Sequence, residues 1–326
     1  MSSNLPEFPP VPSPWNAGPV RLGVPIADLS PSRREWTLSI VLLLLTILST
    51  SFAGLCYFSG VDLLFAFREF IIRPGLILRG LPFSIPLISI LLAHELGHFI
   101  ACRYYGMRCT PPYFLPVPIS LAGTFGAFIK IKSQFWHRRA LFDIGIAGPL
   151  AGFIFVLPTL FIGISLSRVI PKEAFASGQL IFGEPLIFRW LGRLILGYSP
   201  DKQDMIAHPT AMAAWVGLLA TSLNLLPIWQ LDGGHIAYAI LGRPMQKKVS
   251  IGALVFLILV SFLQWPPSIT ILFFSALLLI IGARLSFFHP PTLLEEEGLG
   301  AGRISLGLLA LLILILSFTP VPVTIT

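Results

Sequence analysis

Charge is scarce in this sequence. Asp, Glu, Lys and Arg make up only 11% of the 326 residues, while 55% are hydrophobic. A soluble globular chain carries about 25% charged residues, so a large soluble domain is excluded. Mean hydropathy is +0.84, the value of an integral membrane protein. Cysteine is almost absent: Cys56, Cys102 and Cys109 form no CxxC pair. That excludes a disulfide framework and a cysteine-based zinc site, and leaves three small buried side chains in or beside helices. The start lacks a basic stretch followed by an apolar core, so no cleaved signal peptide is expected. Acidic residues are outnumbered, giving a net charge of +7. The basic residues cluster in loops between apolar runs, which points to a membrane rather than to nucleic acid.

What is present is a series of apolar runs. A bilayer-spanning helix needs about 20 mostly apolar residues. Seven stretches qualify: 36–57, 82–104, 141–168, 207–228, 248–264, 268–288 and 303–320. The expected fold is an all-α polytopic membrane protein of about seven transmembrane helices. Residues 1–35 hold eight prolines and are expected to form an extended or disordered cytoplasmic tail. Residues 36–326 then form one transmembrane domain. With the N-terminus inside, 14 Lys and Arg fall on cytoplasmic segments and 8 on the other side. The count favours an N-inside chain. Residues 128–132, FIKIK, alternate with period two and predict a short strand or hairpin. Residues 186–196 predict an amphipathic helix.

HELGH, residues 94–98, interrupts the second apolar run. Residues i and i+4 share a helix face, so His94 and His98 can offer imidazole nitrogens to one zinc ion. Glu95 sits beside that face, within reach of an activated water. Ionisable groups inside a span are rare and functional as a rule. Catalytic zinc uses three protein ligands, so a third is required, from Asp143, Asp232, His137, His208 or His235. His137 lies among Arg138 and Arg139, in a solvated loop. His208 precedes Pro209 and suits a helix start on the far side. Asp143 can equally cap the third span. Asp232 stands in NLLPIWQLDGGH, residues 224–235. There Pro227 breaks the fourth run, and Gly233 and Gly234 let the backbone turn. Such irregular backbone belongs beside a cavity or within protein. His235 is a weaker ligand candidate, or a cap.

HELGH, followed some 130 residues later by NLLPIWQLDGGH, resembles the site-2 protease family of intramembrane zinc metalloproteases. The likeness covers about 82–243 and extends to GTFGAFIKIKSQ and FDIGIAGPLAGF. It is closest to bacterial and chloroplast members without a PDZ domain; residues 169–206 are too few for one. The resemblance implies one Zn2+ held by His94, His98 and Asp232, with Glu95 as general base. It also implies Asn224 near the substrate. A strand containing Gly123, Phe125, Gly126 and Ala127 would pair with the unwound substrate. Many relatives carry an asparagine shortly after the Gly-Pro of the third span, where this chain has Gly152.

The implied reaction is hydrolysis within or near transmembrane segments of single-pass membrane proteins, in regulated intramembrane proteolysis. An anti-sigma factor or a membrane-bound regulator would be such a substrate. Zinc would activate water and polarise the carbonyl, and Glu95 would carry the proton. Expected partners are that substrate and the lipid bilayer, not nucleic acid. An inactive substrate-binding relative is an alternative, and the intact Glu95 speaks against it. A metal or proton transporter should show an extended polar pathway or inverted repeats; neither is evident. A different HExxH membrane protease would differ in its third ligand. The lack of an Arg- and Ser-rich transit segment favours a bacterial plasma membrane over a plastid membrane, with the site towards the cytoplasm.

Overall fold

A computed structural model describes residues 30–59, 63–171, 180–199, 203–262, 267–285, 291–292 and 298–325. Most of the Pro-rich tail, residues 1–29, lies outside them; of its last residues, Arg33 to Glu35 already belong to the first helix. The chain is mostly helical. In order it forms α1 (Arg33–Ser59), α2 (Leu63–Ile72), a 3-10 segment (Pro74–Gly80), α3 (Leu81–Tyr104), β1 (Tyr113–Pro116), β2 (Thr124–Phe128) and α4 (Arg138–Ser165). There follow β3 (Arg168–Pro171), β4 (Leu180–Phe182), α5 (Leu186–Leu196), β5 (Gln203–Ile206), α6 (Pro209–Leu225) and α7 (Asp232–Leu241). Last come α8 (Arg243–Ser261), α9 (Ile269–Leu285), α10 (Ala301–Ser317) and β6 (Val323–Ile325). The strands pair antiparallel as β1 with β2, β3 with β5 and β4 with β6.

Four stretches are long and apolar enough to cross a membrane: Arg33–Cys56, Pro74–Tyr104, Arg138–Ser165 and Arg243–Ser261. A helix also overlaps each of the other three expected runs. There α6, α9 and α10 have 17 residues each, a rise of about 26 Å against a hydrocarbon core of about 30 Å. Length therefore separates these three from the four. Large apolar side chains face outward on the long helices, among them Leu44, Ile100, Ile154 and Leu259. In water such faces would drive association; in a bilayer they meet acyl chains.

The centre of the bundle is α3, α4 and α6. Phe83, Leu87 and Ile90 of α3 pack with Val156 and Leu160 of α4 and with Ala214 and Leu218 of α6. Lipid removes most of the hydrophobic drive for helix association, so close packing and polar contacts must hold this core. Gly106 ends α3 with φ 63, a conformation open to a residue without Cβ. At the other break, α6 ends at Leu225, just before the residue that precedes Pro227, as steric crowding before proline requires.

The hairpin expected after α3 is present and differs only in its extent. β2 is Thr124–Phe128, so it takes in the first residue of FIKIK, and Ile131 makes an isolated antiparallel bridge to Cys109. The β2 register pairs Tyr113 with Phe128 and Phe114 with Ala127, with an irregularity before Pro116–Thr124. The FIKIK stretch is still extended: Thr110 N donates to Lys130 O at 3.0 Å and Lys132 N to Arg108 O at 2.8 Å. Pro111 and Pro112 stand opposite the gap between the two paired regions. They have no N–H to give to a ladder. Ser39 Oγ donates to Pro112 O at 2.6 Å and Ser49 Oγ to Gly123 O at 2.5 Å, fastening α1 to the hairpin.

Candidate metal centre

His94 and His98 lie one turn apart on α3 and are buried, as is Glu95. Their Nε2 atoms are 3.1 Å apart. Asp232, the first residue of α7, comes in from across the break. Its Oδ2 lies 3.1 Å from His94 Nε2 and its Oδ1 3.3 Å from His98 Nε2. Among the described residues these three form the cluster of metal-capable side chains, with donor atoms all within 4.8 Å of one another. Donors about 2.0–2.1 Å from a tetrahedral zinc sit about 3.4 Å apart. Two imidazoles and a carboxylate at that spacing suit zinc in chemistry and in size.

The surroundings fix the donors. His98 Nδ1 meets Ile144 O of α4 at 2.7 Å, so Nδ1 carries the hydrogen and the Nε2 lone pair faces the cluster. Two glycines of α4 make room for the rings. A Cβ on Gly148 would lie 2.1 Å from His98 Nε2, and one on Gly152 would lie 3.1 Å from His94 Cβ. Gly152 is thus the residue against which His94 rests. Asn224 of α6 brings Nδ2 to 3.4 Å from His94 Nε2. The Ile129 backbone, just beyond β2, lies on the side of the Glu95 carboxylate.

The turn that delivers Asp232 is not made by its glycines. Gly233 and Gly234 lie in the first turn of α7, where added Cβ atoms would meet Leu225 O at 2.0 Å and Trp229 O at 2.2 Å. They allow close approach. The left-handed residue is Trp229, with φ 51. At the far end of α7, Arg138 of α4 donates to Ala239 O at 2.9 and 2.5 Å and to Ile240 O at 3.1 Å. A guanidinium there satisfies terminal carbonyls and opposes the negative end of the helix dipole.

The other candidates lie elsewhere. Asp143 is neither ligand nor cap. It receives Arg303 Nε and Nη2 at 2.8 and 2.7 Å and the Tyr105 hydroxyl, tying α4 to α10. Burial, and the carboxylate it donates to, push the Tyr105 phenol well above its ordinary range. His137 is the cap of α4, accepting from Ala140 N at 3.0 Å. His208 caps α6 by accepting from Thr210 N at 3.2 Å. His235 turns its ring towards Phe135, with centroids 5.6 Å apart. On the hairpin, Phe125 is 71% exposed, and Gly126, at φ 96, has open space where a Cβ would be. Gly123 is packed against Ser49 O, and Ala127 is half-buried. Of the residues that sequence reasoning missed, Arg138 and Ile144 act through a side chain and a carbonyl that carry no motif. Gly148 and Gly152 did leave a signal, their spacing of four on one face of α4.

Residues 82–263 match the model of peptidase family M50. The chain is 33% identical over 165 residues to probable zinc metalloprotease EGY2, chloroplastic, of Oryza sativa subsp. indica, covering 50% of this chain and 29% of that protein. It is 34% identical over 167 residues to probable zinc metalloprotease EGY1, chloroplastic, of Arabidopsis thaliana, covering 50% and 30%. Against the Arabidopsis EGY2 the figures are 32% over 200 residues, 58% and 33%. The chain spans a third or less of the length of these relatives.

Proposed function

Because the chain belongs to peptidase family M50, we propose that it is an intramembrane zinc endopeptidase acting on single-pass membrane proteins. One observation carries the reading: His94, His98 and Asp232 present three donors 3.1–3.3 Å apart, with the buried Glu95 beside them. His94, His98 and Asp232 hold the metal. Zinc, when bound, supplies a Lewis acid that activates water near neutral pH and polarises a carbonyl.

The chain's own residues do the rest. Glu95 accepts the proton of the attacking water and passes it to the departing amine. The Asn224 amide donates to the oxygen that gains charge as the carbonyl becomes tetrahedral. A peptide in a transmembrane helix has its amides locked and its bonds shielded, so it must be unwound and held extended. β2 offers that hold through backbone pairing along Thr124 to Ala127; Gly123, whose N–H and C=O are taken by Ser120 and Val117, only shapes its start. The continuation of β2 brings Ile129 to the side of Glu95, so a peptide laid there is led to the base. Nothing in the site selects an anti-sigma factor, and the reading stops at the class of single-pass proteins.

The reading includes seven spans and a cytoplasmic N-terminus, on the counts of apolar runs and of Lys and Arg. The names of the relatives contain "chloroplastic", which weighs for a plastid membrane against the bacterial one expected from the sequence.

The test is cleavage of a single-pass model substrate in proteoliposomes by the wild-type chain and by Glu95→Gln, with zinc measured in both. Expected are one zinc per chain in each and cleavage by the wild type only. Equal cleavage by both would overturn the role of Glu95. A zinc-loaded wild type that captures the substrate without cutting it would leave the inactive, substrate-binding relative.

A further inference from the structure

A second feature lies at the head of α1, apart from the metal centre. A cavity of about 580 Å3 is lined by Ser32, Arg34, Glu35, Leu38, Arg108 and Lys132, among others. Three cations face one carboxylate. That carboxylate is already engaged: Glu35 takes Lys132 Nζ at 2.5 Å and the Ser32 N–H at 2.8 Å. Neither Arg34 nor Arg108 has a side-chain hydrogen bond or ion pair among the described residues, and both are exposed. The cavity thus offers two unengaged guanidinium forks, the group best matched to phosphate oxygens.

The apolar wall of the cavity continues along the helix. Leu38 lines it, and Leu38, Val41, Leu45 and Leu48 form one exposed stripe down the outer face of α1. From Leu38 to Leu48 the rise is about 15 Å, half of a bilayer's hydrocarbon thickness. A basic pocket at the head of a span, opening onto an apolar stripe one leaflet long, is complementary to an amphiphile. A soluble phosphate would use only the upper half.

We propose that this cavity binds the anionic phosphate headgroup of a membrane lipid, with Arg34 and Arg108 on the phosphate and an acyl chain along Leu38, Val41, Leu45 and Leu48. Polybasic sites at span ends attract anionic lipids in general; this one adds a walled pocket and a track for the tail. The inference does not rest on the protease reading.

The test is native mass spectrometry of the full chain in neutral detergent, titrated with phosphatidylglycerol or phosphatidylcholine. The chains compared are wild type, R34Q/R108Q and R193Q, the last an exposed arginine on α5. We expect the wild type to prefer phosphatidylglycerol, at least a tenfold loss of that binding in R34Q/R108Q, and no change in R193Q. Leu45→Ser, which leaves the pocket intact, should weaken the long-chain lipid more than a short-chain one. Equal binding of the two lipids by wild type, or an R34Q/R108Q affinity within twofold of it, would overturn the proposal. Full displacement of phosphatidylglycerol by millimolar inorganic phosphate would overturn the lipid assignment. If R34Q/R108Q does not fold, R34Q and R108Q are measured singly, and each should lose at least threefold.

Discussion

Gly148→Ala adds one methyl group at the point where α4 meets the His98 ring. The new carbon would lie 2.1 Å from Nε2 and 2.5 Å from Cδ2 and Cε1. The ring must swing and the helices must part. Swinging breaks the Nδ1 contact with Ile144 O, and a lost buried hydrogen bond costs about 1 kcal/mol. Parting the helices is overpacking, at about 1–3 kcal/mol. Alanine returns about 1 kcal/mol through helix propensity. The net is about 1–3 kcal/mol, or about 5- to 150-fold in an equilibrium constant. That cost should fall on metal affinity, because the displaced atom is the donor. The assay is competition for zinc against a chelator of known strength, with melting of the apo protein in detergent as the fold control. Gly152→Ala is the graded comparison: its nearest contact is 3.1 Å from His94 Cβ, so its affinity should stay within about threefold of wild type. Gly252→Ala, on α8 with open space around it, should change nothing. Gly148→Ala holding zinc as tightly as Gly252→Ala would refute the placement of the His98 ring.

Four further outcomes are expected. Asp232→Ala should lower zinc affinity at least about 100-fold by removing one of three donors, read by the same competition; full retention would send the search for a third ligand elsewhere. Glu95→Gln should keep zinc and lower turnover by about 10²–10⁴-fold, measured on the proteoliposome substrate. Arg303→Met should cost about 1–3 kcal/mol, since its bidentate partner Asp143 is only partly buried; a melting point equal to wild type would show the pair to be idle. Phe125→Ala should raise KM several-fold with kcat and the melting point unchanged, because its exposed ring packs on little of the fold. A falling melting point would make it a structural residue instead.

How much of this was legible depends on the range of the interactions. HELGH could be read because both imidazoles and the base sit on one local helix, where spacing alone fixes the face. Asp232 could be read because the chain breaks at Pro227 just before it, whereas Asn224 came only from the family resemblance. The hairpin after α3 was legible, though the alternation lies beyond most of β2. Alternation at Phe128 to Lys132 is local, but the pairing is decided across the hairpin, where Pro111 and Pro112 interrupt the ladder. The turn before Asp232 was assigned to glycines on general grounds. Instead, Trp229 takes the positive φ, and the glycines let α7 pack on the end of α6. Asp143 and Arg303 are 160 residues apart, and nothing local announces the pair.

The long-range contacts converge on α4, a helix that contributes no metal donor. Its Ile144 carbonyl orients His98, its Gly148 and Gly152 receive the two rings, and its Arg138 holds the end of the helix that begins with Asp232. Asp143, next to Ile144, is in turn fixed to α10 through Arg303. Donors 3.1–3.3 Å apart come from α3 and α7, two helices separated by more than a hundred residues of chain. Each would drift independently unless both were referenced to one rigid body. α4 is that body, which explains why its inner face combines small residues with polar groups at fixed depths. A span that only had to cross the bilayer could carry any apolar side chain at 148 or 152. One that sets the distance between two ligand-bearing helices has to leave the space for their side chains empty.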